Sequence, residues 1–174
     1  LILGDLQHSP LWQTPLLPAF FLVTAVLMGF CTVVFEGSLV AHGFNRRGKT
    51  SLRGAITDLV NKVLMVYLAV RFIDLAVRGA LGHAFAGDLD SLMFWVENLL
   101  YIGAILMTRA EADRYSEKKL FLGAVMALGG GAVYRINAYL VGYHPVNNWT
   151  YFPSVMELMV TIGFVAFEIA AFLY

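Results

Sequence analysis

The stretch LLPAFFLVTAVLMGFCTVVFEGSLVA, residues 16–41, decides the fold class, because it is almost wholly apolar and its one charged residue is Glu36. A helix needs about 20 such residues to cross the hydrocarbon core of a bilayer. Comparable stretches cover about residues 54–80, 91–108, 120–143 and 153–174. The sequence shows no alternating strands of about 10 residues, the pattern typical of a membrane barrel. It therefore predicts an all-α membrane protein with five transmembrane helices.

Composition agrees with this fold class. The chain is 59% hydrophobic, with a mean hydropathy of +0.72, whereas an average soluble domain is about 45–50% apolar. Its formal net charge of +0 excludes the strongly basic surface of a nucleic-acid-binding protein. The chain starts at Leu1 rather than Met and ends at Tyr174 inside an apolar stretch. We expect a single transmembrane bundle over residues 1–174 that is a piece of a longer chain.

The connecting segments predict the orientation in the membrane. Lys and Arg residues are concentrated in segments 42–53 and 109–119, whereas segments 1–14, 81–90 and 144–152 contain neither. Basic loops of membrane proteins face the cytoplasm. Segments 42–53 and 109–119 are therefore expected to be cytoplasmic, and the other three segments are expected on the outer face.

Charged and polar residues inside the predicted spans are the candidates for function, since such residues are costly in a membrane and usually face protein or water. One group lies roughly 5–15 Å from the outer helix ends and comprises Arg71, Asp74, Glu97, Arg135, Asn137 and Glu157. A second lies roughly 8–12 Å from the cytoplasmic ends and comprises Glu36, Lys62 and Glu168. Glu36 shares a helical stripe with Ala25, Gly29 and Thr32, which predicts that it faces protein.

These groups support two interpretations, which spacing alone does not separate. They are ion pairs that hold the helices together, or they form a proton path or a polar pocket that opens to the outer face. Other features predict simpler roles: Asp90 is a candidate N-cap for the third span, and Gly129, Gly130 and Gly131 are expected to allow close helix packing.

The four histidines lie at predicted helix ends or in loops, and they are His8, His42, His83 and His144. A b-type haem in a membrane takes its axial ligands from the helix bundle. We therefore expect no haem in this chain.

Several longer motifs occur in order along nearly the whole chain. They are HSPLWQTPLLP (8–18), VFE (34–36), RFIDL (71–75), AGDL (86–89), FWVE (94–97), YRIN (134–137) and WTYFPS (149–154) followed by Glu157. This set resembles the HybB-type membrane subunits of [NiFe] hydrogenases, within the NrfD/polysulfide-reductase membrane-subunit superfamily. The chain departs from the family pattern at Ser9, inserted between a His and a Pro, and at residues 144–146, where the family tends to have a Gly-rich turn. No role is therefore carried over to His8.

The resemblance implies that this chain is the C-terminal half of an NrfD-like double bundle of about ten helices in the bacterial inner membrane. Such a subunit passes electrons between a periplasmic iron–sulfur subunit, attached to [NiFe] catalytic subunits, and menaquinone or ubiquinone. Quinone is bound largely by the half that is missing, so no quinone-binding residue is assigned. By the same resemblance the chain carries no haem or metal of its own.

Within this frame the outer group is expected to transfer protons. Asp74, Glu97 and Glu157 are the expected proton carriers, with Arg71 and Arg135 holding their charge and Asn137 beside them. Glu36 and Glu168 would extend the path towards the cytoplasm.

Three alternatives stay open at this level. The chain could belong to another quinone-linked oxidoreductase of the polysulfide or nitrite reductase type. It could be a proton or ion transporter, although the spans lack the mid-helix prolines expected of discontinuous helices. It could also be a purely structural anchor, with all quinone chemistry elsewhere.

Overall fold

The computed structural model describes residues 9–43 and 50–142, together with scattered positions between 154 and 170. The chain divides into two compact units, Leu1–His144 and Pro145–Tyr174. In the second unit the described positions from 155 to 170 are helical. Glu157 and Glu168, like His8 and His144, lie outside the described residues, so their expected roles stay predictions.

Four long helices make up the first unit. Helix α1 covers Leu17–Gly43, α2 Thr50–Val77, α3 Leu89–Thr108 and α5 Glu117–Ile136. A short α4 (Glu111–Arg114) joins α3 to α5, a 3-10 helix (Ala80–Phe85) joins α2 to α3, and a π-helix (Asn137–Val141) continues α5. Helix α5 packs against α3 and α1, and α2 packs against α1 and α3. Residues 9–43 and 50–142 contain no strand, which confirms the all-α prediction.

Within the described residues, three segments are long and apolar enough to cross a membrane, judged by length and composition, and these are Leu17–Ala41, Leu89–Thr108 and Glu117–Val141. Helix α2 is as long but less apolar, because five charged residues lie along it, namely Arg53, Asp58, Lys62, Arg71 and Asp74. The predicted fifth span falls mostly outside the described residues. The count of five spans therefore stays a prediction.

The helix starts differ from the predicted ones in two places. Helix α3 is capped by Asp88 rather than Asp90, since the Asp88 carboxylate accepts a hydrogen bond from the Ser91 backbone N–H at 2.9 Å. That bond lowers the pKa of Asp88. Helix α2 begins at Thr50, so Arg53 lies in its first turn instead of in a loop. The apolar pattern misses this start because the first turn of α2 is polar.

Glycines set how closely α5 approaches its neighbours. Gly130 is buried against α3, where an added Cβ would lie 2.9 Å from the ring of Tyr101. Gly131 is buried against α1, where a Cβ would lie 2.5 Å from Met28 Sδ. Small residues allow helix backbones to come this close. The structure supports the prediction that these glycines serve helix packing.

We expect Gly130→Ala to lower the free energy of unfolding by about 1–3 kcal/mol, the usual cost of overpacking. The ring of Tyr101 is buried and has little room to move. Gly29→Ala on α1 is the matched control, because no described atom lies within 4 Å of the added Cβ. Unfolding of both variants in detergent micelles measures the difference, and equal stabilities would contradict the packing argument.

Candidate functional site

A buried ion pair between α2 and α3 lies at the centre of the site. Arg71 Nη1 is 2.5 Å from Glu97 Oε1, and the side chains are 3% and 0% exposed. The contact to Oε1 is an ion pair without hydrogen-bond geometry. A charge is buried at this depth only if an opposite charge and hydrogen bonds compensate for its lost hydration. The two predicted site residues therefore depend on each other.

The second oxygen of Glu97 receives three donors from separate parts of the chain. Oε2 accepts from Asn137 Nδ2 at 3.0 Å, from Trp12 Nε1 at 3.4 Å and from Arg71 Nη2 at 3.4 Å. Asn137 opens the π-helix after α5, and its amide also donates to the Met93 carbonyl at 3.0 Å. Single π turns in helices are frequent at functional sites. The structure thus unites Arg71, Glu97 and Asn137, three of the predicted residues.

Aromatic side chains surround the guanidinium of Arg71. Its Nη1 donates to the Tyr67 hydroxyl at 2.6 Å. Its Cζ lies 5.0 Å from the ring centroid of Tyr134 and 5.3 Å from that of Phe94. Cations this close to ring faces are attracted by the ring quadrupole. The arginine is therefore held by both charge and packing.

Three tyrosines form a second layer, one turn from the first. Tyr67, Tyr101 and Tyr134 precede or follow Arg71, Glu97 and Asn137 by three or four residues on α2, α3 and α5, so they lie on the same helix faces. We call these three residues the tyrosine layer. It lies towards the end of the bundle where α2 and α5 begin. We call this the basic end, because both helices begin within the Lys- and Arg-rich segments 42–53 and 109–119. Ring centroids are 5.6 Å apart for Tyr67 and Tyr101 and 6.4 Å apart for Tyr67 and Tyr134.

Sequence reasoning missed the tyrosine layer, because buried tyrosines look like ordinary packing residues. One sequence signal could have revealed it: each tyrosine is three or four residues from Arg71, Glu97 or Asn137, so it shares a helix face with that residue.

Residues 9–16, which we call the N-terminal strap, cover the ion pair on the side away from the tyrosine layer. Trp12 is 1% exposed, and an added Cβ at Gly142 would lie 2.8 Å from its ring. The Ser9 N–H donates to the Gly142 carbonyl at 2.6 Å. Arg78 donates to the carbonyls of Pro10, at 3.0 Å, and of Gln13. The strap is therefore tied to the helix ends by backbone hydrogen bonds as well as by packing.

Asp74 pairs with Arg78 at 2.8 Å, one turn further along the chain. Arg71 already has Glu97 as its partner on the neighbouring helix. Asp74 thereby supports the arginine that holds the strap. A small pocket beneath the strap is bordered by Thr14, Arg71 and Asp74. It has room for about one water molecule, whereas sites for organic ligands are several hundred Å³.

Other predicted charges lie elsewhere. Arg135 donates to the Gly131 carbonyl at 3.2 Å and contacts Met28 Sδ on α1 at 2.7 Å. Glu36 is half-buried and has no hydrogen-bond or ion-pair partner among the described residues. Its stripe includes Ala25 and Gly29, which are exposed in the described unit, and the prediction that the stripe faces protein stays a prediction.

Lys62 is not a buried charge, so its prediction as a buried member of the group near the cytoplasmic helix ends is wrong. Its side chain is 67% exposed and pairs with Asp58 at 2.7 Å. The physical reason is its rotation on α2, about half a turn from Arg71. The described members of that group, Glu36 and Lys62, do not come together as a second buried cluster.

The basic end contains a cluster that sequence reasoning missed. Arg53 donates to both Glu117 oxygens at 2.6 and 2.7 Å and to the Ser38 hydroxyl at 3.0 Å. About two turns further along α2, Asn61 Nδ2 donates to the Thr108 hydroxyl at 2.9 Å. The apolar pattern places both Arg53 and Glu117 in predicted loops, so it predicts no buried or half-buried partner for either.

Comparison with known proteins gives two relatives. The chain is 42% identical over 176 residues to the "Probable Ni/Fe-hydrogenase 2 b-type cytochrome subunit" of Escherichia coli (strain K12), covering 99% of this chain and 45% of the relative. It is 26% identical over 180 residues to a protein of Nitratidesulfovibrio vulgaris (strain Hildenborough), covering 92% of this chain and 44% of that relative. The chain thus spans less than half the length of the curated relatives it matches. No solved structure matches it significantly.

The name of the Escherichia coli relative, a b-type cytochrome subunit, contradicts the expectation that the chain carries no haem, and that expectation is withdrawn. The described residues show no fitting pair of axial histidines in the bundle. His83 is exposed in the 3-10 helix, the side chain of His42 is not described, and His8 and His144 lie outside the described residues.

A family model described as "Polysulphide reductase, NrfD" matches residues 1–147, which is most of the chain and includes all four long helices. This match confirms the resemblance seen in the motifs, and with the apolar helices it indicates a multi-pass membrane protein. The chain belongs to the NrfD polysulphide reductase family.

Proposed function

We propose that this chain is part of a membrane subunit that passes electrons between an iron–sulfur partner and membrane quinone in a respiratory complex of the hydrogenase type. Family membership and the name of the Escherichia coli relative support this. Because the chain spans less than half of that relative, we assign the quinone contacts chiefly to the remaining part. Segments 42–53 and 109–119 are proposed to be cytoplasmic, and segments 1–14, 81–90 and 144–152 periplasmic in the bacterial inner membrane.

The observation that carries the proposal is the fully buried Glu97 carboxylate beneath the N-terminal strap. Reduction of a quinone to a quinol takes up two electrons and two protons, so a proton donor must be near the quinone. A carboxylate can supply a proton and regain one from water. Glu97 has an opposite charge at 2.5 Å, three further donors at the other oxygen, and a water-sized pocket nearby.

The other predicted residues have different positions in this proposal. Asp74 borders the pocket and is the proposed relay between water and the ion pair. Arg71 and Asn137 orient the Glu97 carboxylate. Arg135 and Glu157 stay predictions. The extension through Glu36 and Glu168 also stays a prediction, and the position of Glu36 outside the cluster gives it no support.

The test is quinone-linked turnover of the purified complex with Glu97→Gln, which keeps the size of the side chain and one acceptor oxygen but cannot exchange a proton. We expect turnover to fall by about 10²-fold or more, the usual contribution of a positioned acid or base. Glu111→Gln, in exposed α4, is the matched control and should keep full turnover. Full turnover of an assembled Glu97→Gln complex would exclude Glu97 from the route.

A structural anchor is the second candidate, since the ion pair also locks α2 to α3. It predicts that Glu97→Gln weakens the fold, because Arg71 then keeps a buried charge without its partner, but that the complex which still assembles turns over normally. Turnover per assembled complex therefore separates the two candidates. A polysulfide or nitrite reductase type of complex would be recognised by the catalytic subunits that co-purify. A transporter would move its substrate without a redox partner.

A further inference from the structure

We propose that the tyrosine layer binds internal water and that one apolar layer, centred on Leu64, separates this water from the basic end of the bundle. Protons would then reach Glu97 only from the side of the N-terminal strap. This inference rests on the proposed function, because it takes Glu97 to be a group that exchanges protons.

The evidence for water is a group of buried polar atoms beside the ion pair. The hydroxyls of Tyr101 and Tyr134 and the Oδ1 atoms of Asn98 and Asn137 have no hydrogen-bond partner among the described residues. All four side chains are at most 2% exposed. Leaving such groups without partners costs free energy. Water can donate to the two amide oxygens and both donate to and accept from the hydroxyls, and buried water usually makes about three such bonds.

The apolar layer follows immediately towards the basic end. On α2 the one buried residue between Tyr67 and Asn61 is Leu64, at 1% exposure. Leu27 of α1 and Ile105 of α3 belong to the same buried apolar cluster as Leu64, and Ala104 and Ala127 line the pocket that lies beyond it beside Asn61. From Tyr67 to Asn61 the rise along α2 is about 9 Å. Hydrogen-bonded oxygens are about 2.8 Å apart, so a proton path across this gap would need at least two water molecules. No polar side chain on the buried face of α2 between Tyr67 and Asn61 could hydrogen-bond to them.

Polar groups resume beyond this layer. Asn61 and Thr108 hydrogen-bond to each other across α2 and α3 and border a small pocket with Thr57. Arg53 and Glu117 follow at the basic end. The polar ladder on the buried face of α2 is therefore interrupted at Leu64. A polar side chain in place of Leu64 would connect the polar groups around Tyr67 with those around Asn61.

The test uses the full-length protein in vesicles that contain a pH-sensitive dye. A potassium diffusion potential set by valinomycin drives protons inward, and no redox partner is needed. We expect Leu64→Asn to raise the proton flux at least about tenfold over the unaltered protein, which corresponds to a barrier lower by about 1.4 kcal/mol. Leu75→Asn is the matched control, because Leu75 is equally buried on α2 but lies on the strap side of Arg71. Its flux should stay unchanged.

Further variants make the result decisive. Leu64→Thr is a smaller change to be used if the asparagine variant does not give a monodisperse protein in detergent. A folded Leu64 variant with unaltered flux overturns the proposal. Adding Glu97→Gln should return the flux to its original level, and a leak that persists overturns the route through Glu97. Loss of the proposed function would instead appear as normal redox turnover in Glu97→Gln, which the leak assay does not measure.

Discussion

Replacing Arg71 with methionine is expected to lower the free energy of unfolding by about 3–5 kcal/mol, the cost of leaving one partner of a buried ion pair alone. Glu97 would keep its full burial and lose its opposite charge at 2.5 Å. The Tyr67 hydroxyl would also lose its donor. Reversible unfolding of the purified full-length protein in detergent micelles measures this change.

The double variant Arg71→Met with Glu97→Gln should recover most of the lost stability, since no charge is then left buried. Arg114→Met is the matched control. Its partner Asp58 is one-third exposed, and such partly exposed pairs contribute about 0–1 kcal/mol. If Arg71→Met costs no more than Arg114→Met, or if the double variant recovers nothing, the ion pair is not what stabilises this site.

Trp12→Ala is expected to cost about 3–5 kcal/mol, as is usual for a buried tryptophan, and to loosen the N-terminal strap. The indole packs on Gly142 and meets Phe94 edge to face at 6.5 Å between ring centroids. Without the ring, water would reach Glu97 more easily from the strap side. Unfolding in micelles and limited proteolysis within residues 9–16 measure the two effects.

Two controls separate packing from hydrogen bonding at this position. Trp12→Phe keeps most of the apolar contact and loses the 3.4 Å bond to Glu97, so it should cost about 1 kcal/mol. Trp95→Ala removes a half-buried ring whose Nε1 donates to the Ala84 carbonyl, and it should cost less than Trp12→Ala. Equal effects of Trp12→Ala and Trp95→Ala would show that the strap has no special role.

Part of the candidate site could be predicted because ionisable residues stand out in apolar stretches. Arg71, Glu97 and Asn137 were chosen from three separate spans, and the structure brings them within hydrogen-bonding distance. Depth along each helix follows directly from residue number. The three residues lie at one depth, so their grouping was accessible without coordinates.

Pairing was harder to predict than depth. Asp74 is one turn from both Arg71 and Arg78, and the sequence does not show which one it binds. Lys62 was grouped with Glu36 by depth, although it is exposed and bound to Asp58 on its own helix. A partner depends on the rotation of each helix, and the apolar pattern of a span that is hydrophobic on most sides defines that rotation poorly.

The residue pattern alone predicts long apolar helices, a few charged residues within them, and the motifs of the NrfD family. Each of these properties can be read along one segment at a time, because the bilayer requires every span to be long, apolar and helical. Other features need the packed helices: Glu97 pairs with Arg71, the tyrosine layer adjoins the pair, and Leu64 interrupts the polar face of α2. Those contacts depend on how α2, α3 and α5 are rotated and spaced, which is set by close approaches such as that of Gly130 to Tyr101.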